Sequence, residues 1–205
     1  MIRDVALEGF SVPPACLTPP PAWACPANVA YVGVDPGQHG YIAGLPADRF
    51  DVLWAEPTPT YPTGKGSKLD YDLPHVWRLV RSIPKTAYVV LERQQAYPNQ
   101  GSVSNFNIGR GFMLWEMALT AAGISYETVT PRTWKGKMGI RATSAPKERA
   151  QQQKEAKARA IALAIRLFPK QDFRDKRKPC AVTLCADYAE AVLLAVFGRR
   201  HAGAA

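Results

Sequence analysis

The chain is poor in the residues that build the commonest metal and redox centres. Only three histidines and four cysteines stand among its 205 residues. Cys16, Cys25, Cys180 and Cys185 form no Cys-x-x-Cys pair, which excludes the usual zinc frameworks. Reduced, incidental thiols are the default reading, with a Cys16–Cys25 bridge near the N-terminus as the alternative. Long apolar runs are missing as well. Nowhere do about 18 apolar residues follow one another, so no membrane-spanning helix is expected. Nor is a secretory leader expected, because Asp4 and Glu8 occupy a stretch that such a leader keeps basic or apolar. These absences make a cytoplasmic protein the expectation. No Ser/His/Asp arrangement for covalent catalysis is visible, and no internal repeat. Gly64-Lys65-Gly66-Ser67 lacks the Gly-Lys-Ser/Thr ending of a phosphate-binding loop.

What the chain has in excess is proline and positive charge. The 18 prolines crowd towards the first third, with Pro13-Pro14, Pro19-Pro20-Pro21 and Pro26 in a stretch without helical or strand periodicity. Residues 1–28 therefore read as an irregular arm, residues 29–200 as one globular domain and residues 201–205 as a tail. The net charge is +9, unevenly spread: Arg132 to Lys178 holds fifteen basic residues against four acidic, and the remainder is slightly acidic. Such a cluster suits a polyanion, since neutralising phosphates releases their condensed counterions. A solvated helix face is the plainer explanation.

Short apolar runs predict strands at Ala30–Val34, Tyr41–Leu45, Phe50–Ala55, Ala87–Leu91 and Tyr126–Val129. Between the third and fourth, Pro57–Asp70 reads as a loop rich in proline and glycine, followed by a helix that Asp72 caps and that runs to about Ile83. Ser102–Ala122 has helical spacing, with Phe106, Met113, Met117 and Ala121 along one stripe and Gly123 as its stop. Two more helices are expected, from Ser144 to Phe168 and from Leu184 to Phe197. The order is that of an α/β protein.

Four acids stand where a sheet-based site would want them. Asp35 ends one apolar strand and Glu92 ends another. If those strands are parallel neighbours, both carboxylates emerge from the same sheet edge. Asp187 and Glu190 are three residues apart, so they share a helix face. Each has an ordinary explanation alone: a turn residue before Pro-Gly, an exposed strand end, a solvated stripe. Together they make a cluster of like charges that calls for cations, and oxygen donors favour magnesium or manganese.

The segments around these acids resemble a known family. Val32-Gly33-Val34-Asp35-Pro36-Gly37, Val89-Val90-Leu91-Glu92 and Asp187-Tyr188-Ala189-Glu190-Ala191 are similar to the catalytic strands and closing helix of RuvC-like Holliday junction resolvases. Val129-Thr130-Pro131-Arg132-Thr133-Trp134-Lys135 looks like a segment common in phage-encoded members. The resemblance runs from about residue 29 to 198, in the family's order, and leaves the arm without a counterpart. Glu190 departs from the pattern, because many bacterial members have Asp there.

The resemblance implies a ribonuclease H-like fold: a five-stranded mixed sheet flanked by helices on both faces. It also implies a homodimer that nicks two symmetry-related strands of a four-way DNA junction. Asp35, Glu92, Asp187 and Glu190 would be catalytic ligands of magnesium or manganese, two ions roughly 4 Å apart that activate water for in-line attack. Lys135, Lys137 and Arg141 are candidate phosphate contacts, extended by Lys147, Lys154 and Lys157. Arg93 follows Glu92 directly, His39 lies in the loop after Asp35, and Tyr97 could wedge into unstacked bases. The glycines of Ser102–Ala122, Gly109 and Gly111, are expected at the dimer interface. Two other readings stay open: a ribonuclease H-like nuclease acting on other branched DNA or on RNA–DNA hybrids, and a structure-specific DNA-binding protein with a dead site.

Overall fold

A computed structural model describes residues 24–64, 68–94, 101–141, 149–178 and 180–202. Most of the expected arm, with Cys16, lies outside these residues, as do Tyr97 and Lys147. Seven strands and five helices are described: β1 Val29–Val34, β2 Tyr41–Pro46, β3 Trp54–Pro57, β4 Thr60–Pro62, β5 Leu69–Tyr71, α1 Leu73–Arg81, β6 Tyr88–Glu92, α2 Ser102–Ala121, β7 Tyr126–Val129, α3 Pro131–Lys137, α4 Arg149–Leu167 and α5 Ala186–Ala202. The main sheet has the order β3-β2-β1-β6-β7. β1 pairs with β2, and β2 with β3, in antiparallel fashion, whereas β6 runs parallel to both β1 and β7. The fold is the five-stranded mixed α/β sheet that the resemblance implied.

Because side chains alternate across a strand, the sheet divides the core in two. Tyr41, Ala43, Leu45 and Val90 face α5, with Trp134 of α3 and Ala160 and Ala164 of α4 completing that layer. Val32, Val34, Ile42, Val89 and Leu91 face the other way, onto Val76, Leu79 and Val80 of α1 and Trp115, Ala118 and Leu119 of α2. Cys25 belongs to the second layer. It is buried, its backbone N–H donates to Ser82 Oγ at 2.9 Å, and burial pushes its thiol up to about 12. Among the described residues Cys25, Cys180 and Cys185 are all free thiols, and no helix is long and apolar enough to cross a membrane.

Three local expectations need correction. The third strand begins at Trp54 and not at Phe50, which is exposed and stacks on Phe168 with ring centroids 4.8 Å apart. The carbonyls of Pro46, Ala47 and Arg49 accept from the Arg199 guanidinium. The Pro57–Asp70 stretch is not all loop, since β4 and β5 pair as a small antiparallel hairpin. Finally, Pro131–Lys137 is a helix that apolar periodicity missed because it is only seven residues long. Its start was written in the sequence as a capping pair: Thr130 accepts from Thr133 N–H, and Pro131 occupies the first turn.

Candidate active site

The site is built where β1 and β6 end. Val34 is opposite Leu91 in a parallel register, so the next residue on each strand, Asp35 and Glu92, stand side by side. Both are buried. The chain turns at once after Asp35. Its backbone N–H donates to Tyr41 O at 2.9 Å, and its Oδ1 accepts from Gly37 N–H at 3.4 Å.

Helix α5 delivers the other two acids, and Gly33 decides how closely it approaches. A Cβ at Gly33 would overlap Ala191 O and Ala195 N and lie 2.7 Å from Leu194 Cβ. The helix backbone therefore rests directly on β1, a contact that any side chain at residue 33 would hold open. That contact carries the first turns of α5 over the strand ends, where Asp187 and Glu190 join Asp35 and Glu92 around a cavity of about 790 Å³. Glu190 is buried and Asp187 is partly exposed.

Two cations reach into the same cavity from other helices. In α3 the indole of Trp134 is fully buried, which anchors the helix and turns Lys135 inward. Lys135 Nζ donates to Glu190 Oε1 at 2.7 Å, and its side chain is only 17% exposed. From α4, Lys157 Nζ donates to Asp187 Oδ1 at 2.9 Å. Gln38 and Gln94 add polar groups to the lining, and Tyr71 donates its hydroxyl to Pro36 O at 3.4 Å.

The electrostatics follow from this crowding. Burial first, then the charges of Asp187 and Glu190, pushes the Asp35 carboxyl well above its ordinary range. Glu92 is raised likewise, by burial and then by Asp35, with Lys135 pulling against the shift. For Lys135, burial disfavours the ammonium, but Glu190, Glu92 and Asp35 outweigh it and hold its pKa above the usual lysine value. Lys157 is raised in the same way, its burial outweighed by Asp187, Glu190 and Asp35. Buried carboxylates that resist ionising beside one another are a donor set short of positive charge.

Hard oxygen donors of this kind fit a divalent cation of the magnesium or manganese type. As the side chains stand, no three acidic, histidine or cysteine groups among the described residues converge tightly enough to share one ion. The positive charge that faces these acids comes from Lys135 and Lys157. Among the described residues no group completes a well-formed hydrogen bond with the buried Trp134 Nε1, and the indole lies close enough to Glu92 to favour its charged form. A donor is thus in place should that carboxylate turn.

The remaining sequence candidates lie elsewhere. Arg93 is exposed and absent from the cavity lining, while its neighbours Glu92 and Gln94 take part in it. Lys137 sits over the Phe197 ring at 5.7 Å, away from the acids. Arg141 is exposed and offers its carbonyl to Arg159 at 2.9 Å. Lys154 is exposed and outside the cavity, whereas His39 lines its rim. Gln94 lies past the end of β6, and its closeness to Glu92 along the chain is the only signal that could have found it. Gln152 and Gln153 of α4, which also line the cavity, carried no local signal at all.

No protein-family model matches the chain, and no curated protein matches it. Solved structures do. RuvC of Thermus thermophilus in complex with a Holliday junction substrate aligns with a TM-score of 0.50 and 14% identity, covering 84% of this chain and 94% of that one. A second structure of Thermus thermophilus RuvC aligns at 0.43 and 15% identity, over 83% of this chain and 95% of that one. At such identity the junction-bound RuvC shows a shared fold. The strand order, the crossing of α5 over β1 and the likeness to that structure give this chain the ribonuclease H-like α/β fold that it shares with RuvC.

Proposed function

We propose that the chain is a divalent-metal-dependent endodeoxyribonuclease that cuts four-way DNA junctions as a homodimer. The observation that carries the reading is the meeting of Asp35, Glu92, Asp187 and Glu190 in one cavity at the strand ends. Residues from three separate elements supply four carboxylates there, a costly arrangement unless cations are to be bound. Its support comes from the basic segment Arg132 to Lys178, which carries the whole surplus of positive charge, and from the shared fold with a junction-bound RuvC.

In this reading the four acids hold magnesium or manganese, which when bound lowers the pKa of a water and polarises the scissile phosphate. The chain's own part is to place that phosphate. Lys135 and Lys157 stand in the cavity. Arg93, Lys137 and Arg141 lie outside it, where we assign them to flanking phosphates, and Lys147 and Tyr97 are proposed to touch DNA as well. Cutting two symmetry-related strands needs two like sites, hence the homodimer. Its proposed interface is the outer stripe of α2, where Val103, Phe106, Met113 and Met117 are all exposed. Gly111 does not belong to that stripe. A Cβ there would meet Pro36 O at 2.7 Å and overlap the Tyr71 hydroxyl, so it serves packing within the chain.

The test is incubation of labelled four-way junction, fork, linear duplex and RNA–DNA hybrid with and without magnesium. Paired symmetric nicks in the junction, dependent on metal and abolished in Asp35→Asn and Glu92→Gln while binding persists, are the expected result. Junction binding without cutting under any divalent cation would make the protein a structure-specific binder. Equal cutting of forks or hybrids would widen the substrate class.

A further inference from the structure

We propose that Lys135 and Lys157 are the resident counter-cations of the carboxylate cavity, which divalent metal displaces, and that the displaced ammoniums pass to the DNA phosphates. This rests on the metal-dependent reading above and adds a role for two residues of the chain itself. The sequence makes both lysines candidate phosphate contacts. The fold puts them against the acids instead, from two helices that have no sequence proximity to α5: the pairs span 55 and 30 residues.

Each ammonium sits on an oxygen that a metal would need. Lys135 Nζ is 2.7 Å from Glu190 Oε1, and Lys157 Nζ is 2.9 Å from Asp187 Oδ1. An ammonium and a divalent ion compete for those same lone pairs, and the divalent ion brings twice the charge. Lysine is suited to yielding. Its charge sits at the end of a flexible four-carbon stem, and it has no fixed fork of donors to hold a carboxylate in one geometry. Once displaced, each ammonium stays tethered at the cavity wall. With only the lysines present, the cavity holds more carboxylates than cations. With divalent ions on the carboxylates and the lysines still nearby, its sign reverses. A phosphodiester then meets a positive cavity with two free donors.

The two lysines differ in a way that orders the effects. Each donates to one carboxylate, but the Lys135 side chain is 17% exposed and that of Lys157 52% exposed. Removing Lys157 should tighten metal binding about two- to fivefold, as for a part-exposed ion pair. Removing Lys135 should tighten it roughly tenfold or more, as for a buried one.

The experiment uses the full chain and manganese as probe, titrated by calorimetry and by electron paramagnetic resonance. The variants are Lys157→Gln, Lys157→Arg and Lys135→Gln, with melting temperature read in chelator and in saturating manganese. Junction binding is measured in calcium, which should occupy the site without supporting rapid cutting. Lys157→Gln and Lys135→Gln should bind manganese more tightly, melt lower than wild type only in chelator, and reduce the salt dependence of junction binding only in calcium. The slope should fall by about 0.9 per lysine. Lys157→Arg, which keeps the charge and adds the fork of donors that lysine lacks, should show no gain in manganese affinity, so a general loosening of the fold is told apart. Unchanged or weaker manganese binding in both glutamine variants, or equal destabilisation with and without metal, would overturn the exchange and leave the lysines as fixed ties. Failure of the wild-type chain to bind manganese at all would overturn the metal reading beneath it.

Discussion

Helices α2 and α5 lie on opposite faces of the sheet, and both carry apolar residues all round, yet they end in different environments. From Tyr188 to Gly198 every residue of α5 is buried. The sheet covers one side and α4 covers the other. α2 buries only Gly111, Trp115, Ala118 and Leu119, and leaves Phe106 70% exposed and Met117 61% exposed. An apolar helix with a second layer over it is a core element. The same kind of helix without that layer presents a surface for something else. The difference separates the two tasks assigned here. α5 holds two of the four acids in place, and α2 offers the face proposed for the second protomer.

A substitution directly beneath α5 should sharpen the contrast most. Gly33→Ala pushes a methyl group into the backbone of α5, which cannot retreat without lifting Asp187 and Glu190 from the strand ends. A loss of about 1–3 kcal/mol or more is expected in chemical denaturation, together with loss of the proposed nuclease activity. If Gly33→Ala folds with unchanged stability, the contact between α5 and β1 is wrong.

Large-to-small changes should separate the helices next. Leu193→Ala, within the fully buried turn of α5, should cost about 2–5 kcal/mol. Met113→Ala, on the exposed stripe of α2, should change the stability of an isolated protomer by no more than about 0.5 kcal/mol. Comparable losses at both positions would mean that α2 is covered in the free chain.

The exposed stripe should matter to assembly instead. Phe106→Glu combined with Met117→Glu is expected to weaken self-association at least about 30-fold, read by analytical ultracentrifugation, with the melting temperature of the protomer held. A wild-type chain that stays monomeric with junction bound would remove α2 as an interface.

The smallest effect is a gain. Among the described residues no atom lies within 4 Å of where a Cβ on Gly109 would stand. Gly109→Ala should therefore raise helix stability by about 0.5–1 kcal/mol, the ordinary difference between these residues inside a helix. A loss there would place a partner closer to α2 than the free protomer does.

Much of the scaffold was legible because its signals are local. The short apolar runs at Tyr41–Leu45, before Asp35 and before Glu92 each report on a buried strand through a few neighbouring residues. Asp72 and Thr130 mark helix starts through side chains that reach only three residues on. The four acids could be singled out because each ends or opens such an element. The β4–β5 hairpin escaped notice for the opposite reason: its three-residue strands are too short to show a period.

What the amino-acid sequence by itself determined is the set of donors: two acids at apolar strand ends, an acid pair on a late helix, and a basic segment between them. What only the tertiary structure decided is which cations those acids meet. Lys135 and Lys157 carry no local mark that distinguishes them from Lys137 or Lys154, and all four read equally as surface charge. The absence of a side chain at Gly33 lets α5 settle on β1, the burial of Trp134 turns Lys135 inward, and α4 packs over α5 with Lys157 facing Asp187. Ion pairing falls off within a few ångströms, so partners 30 and 55 residues apart are selected by packing, and no periodicity along the chain records it.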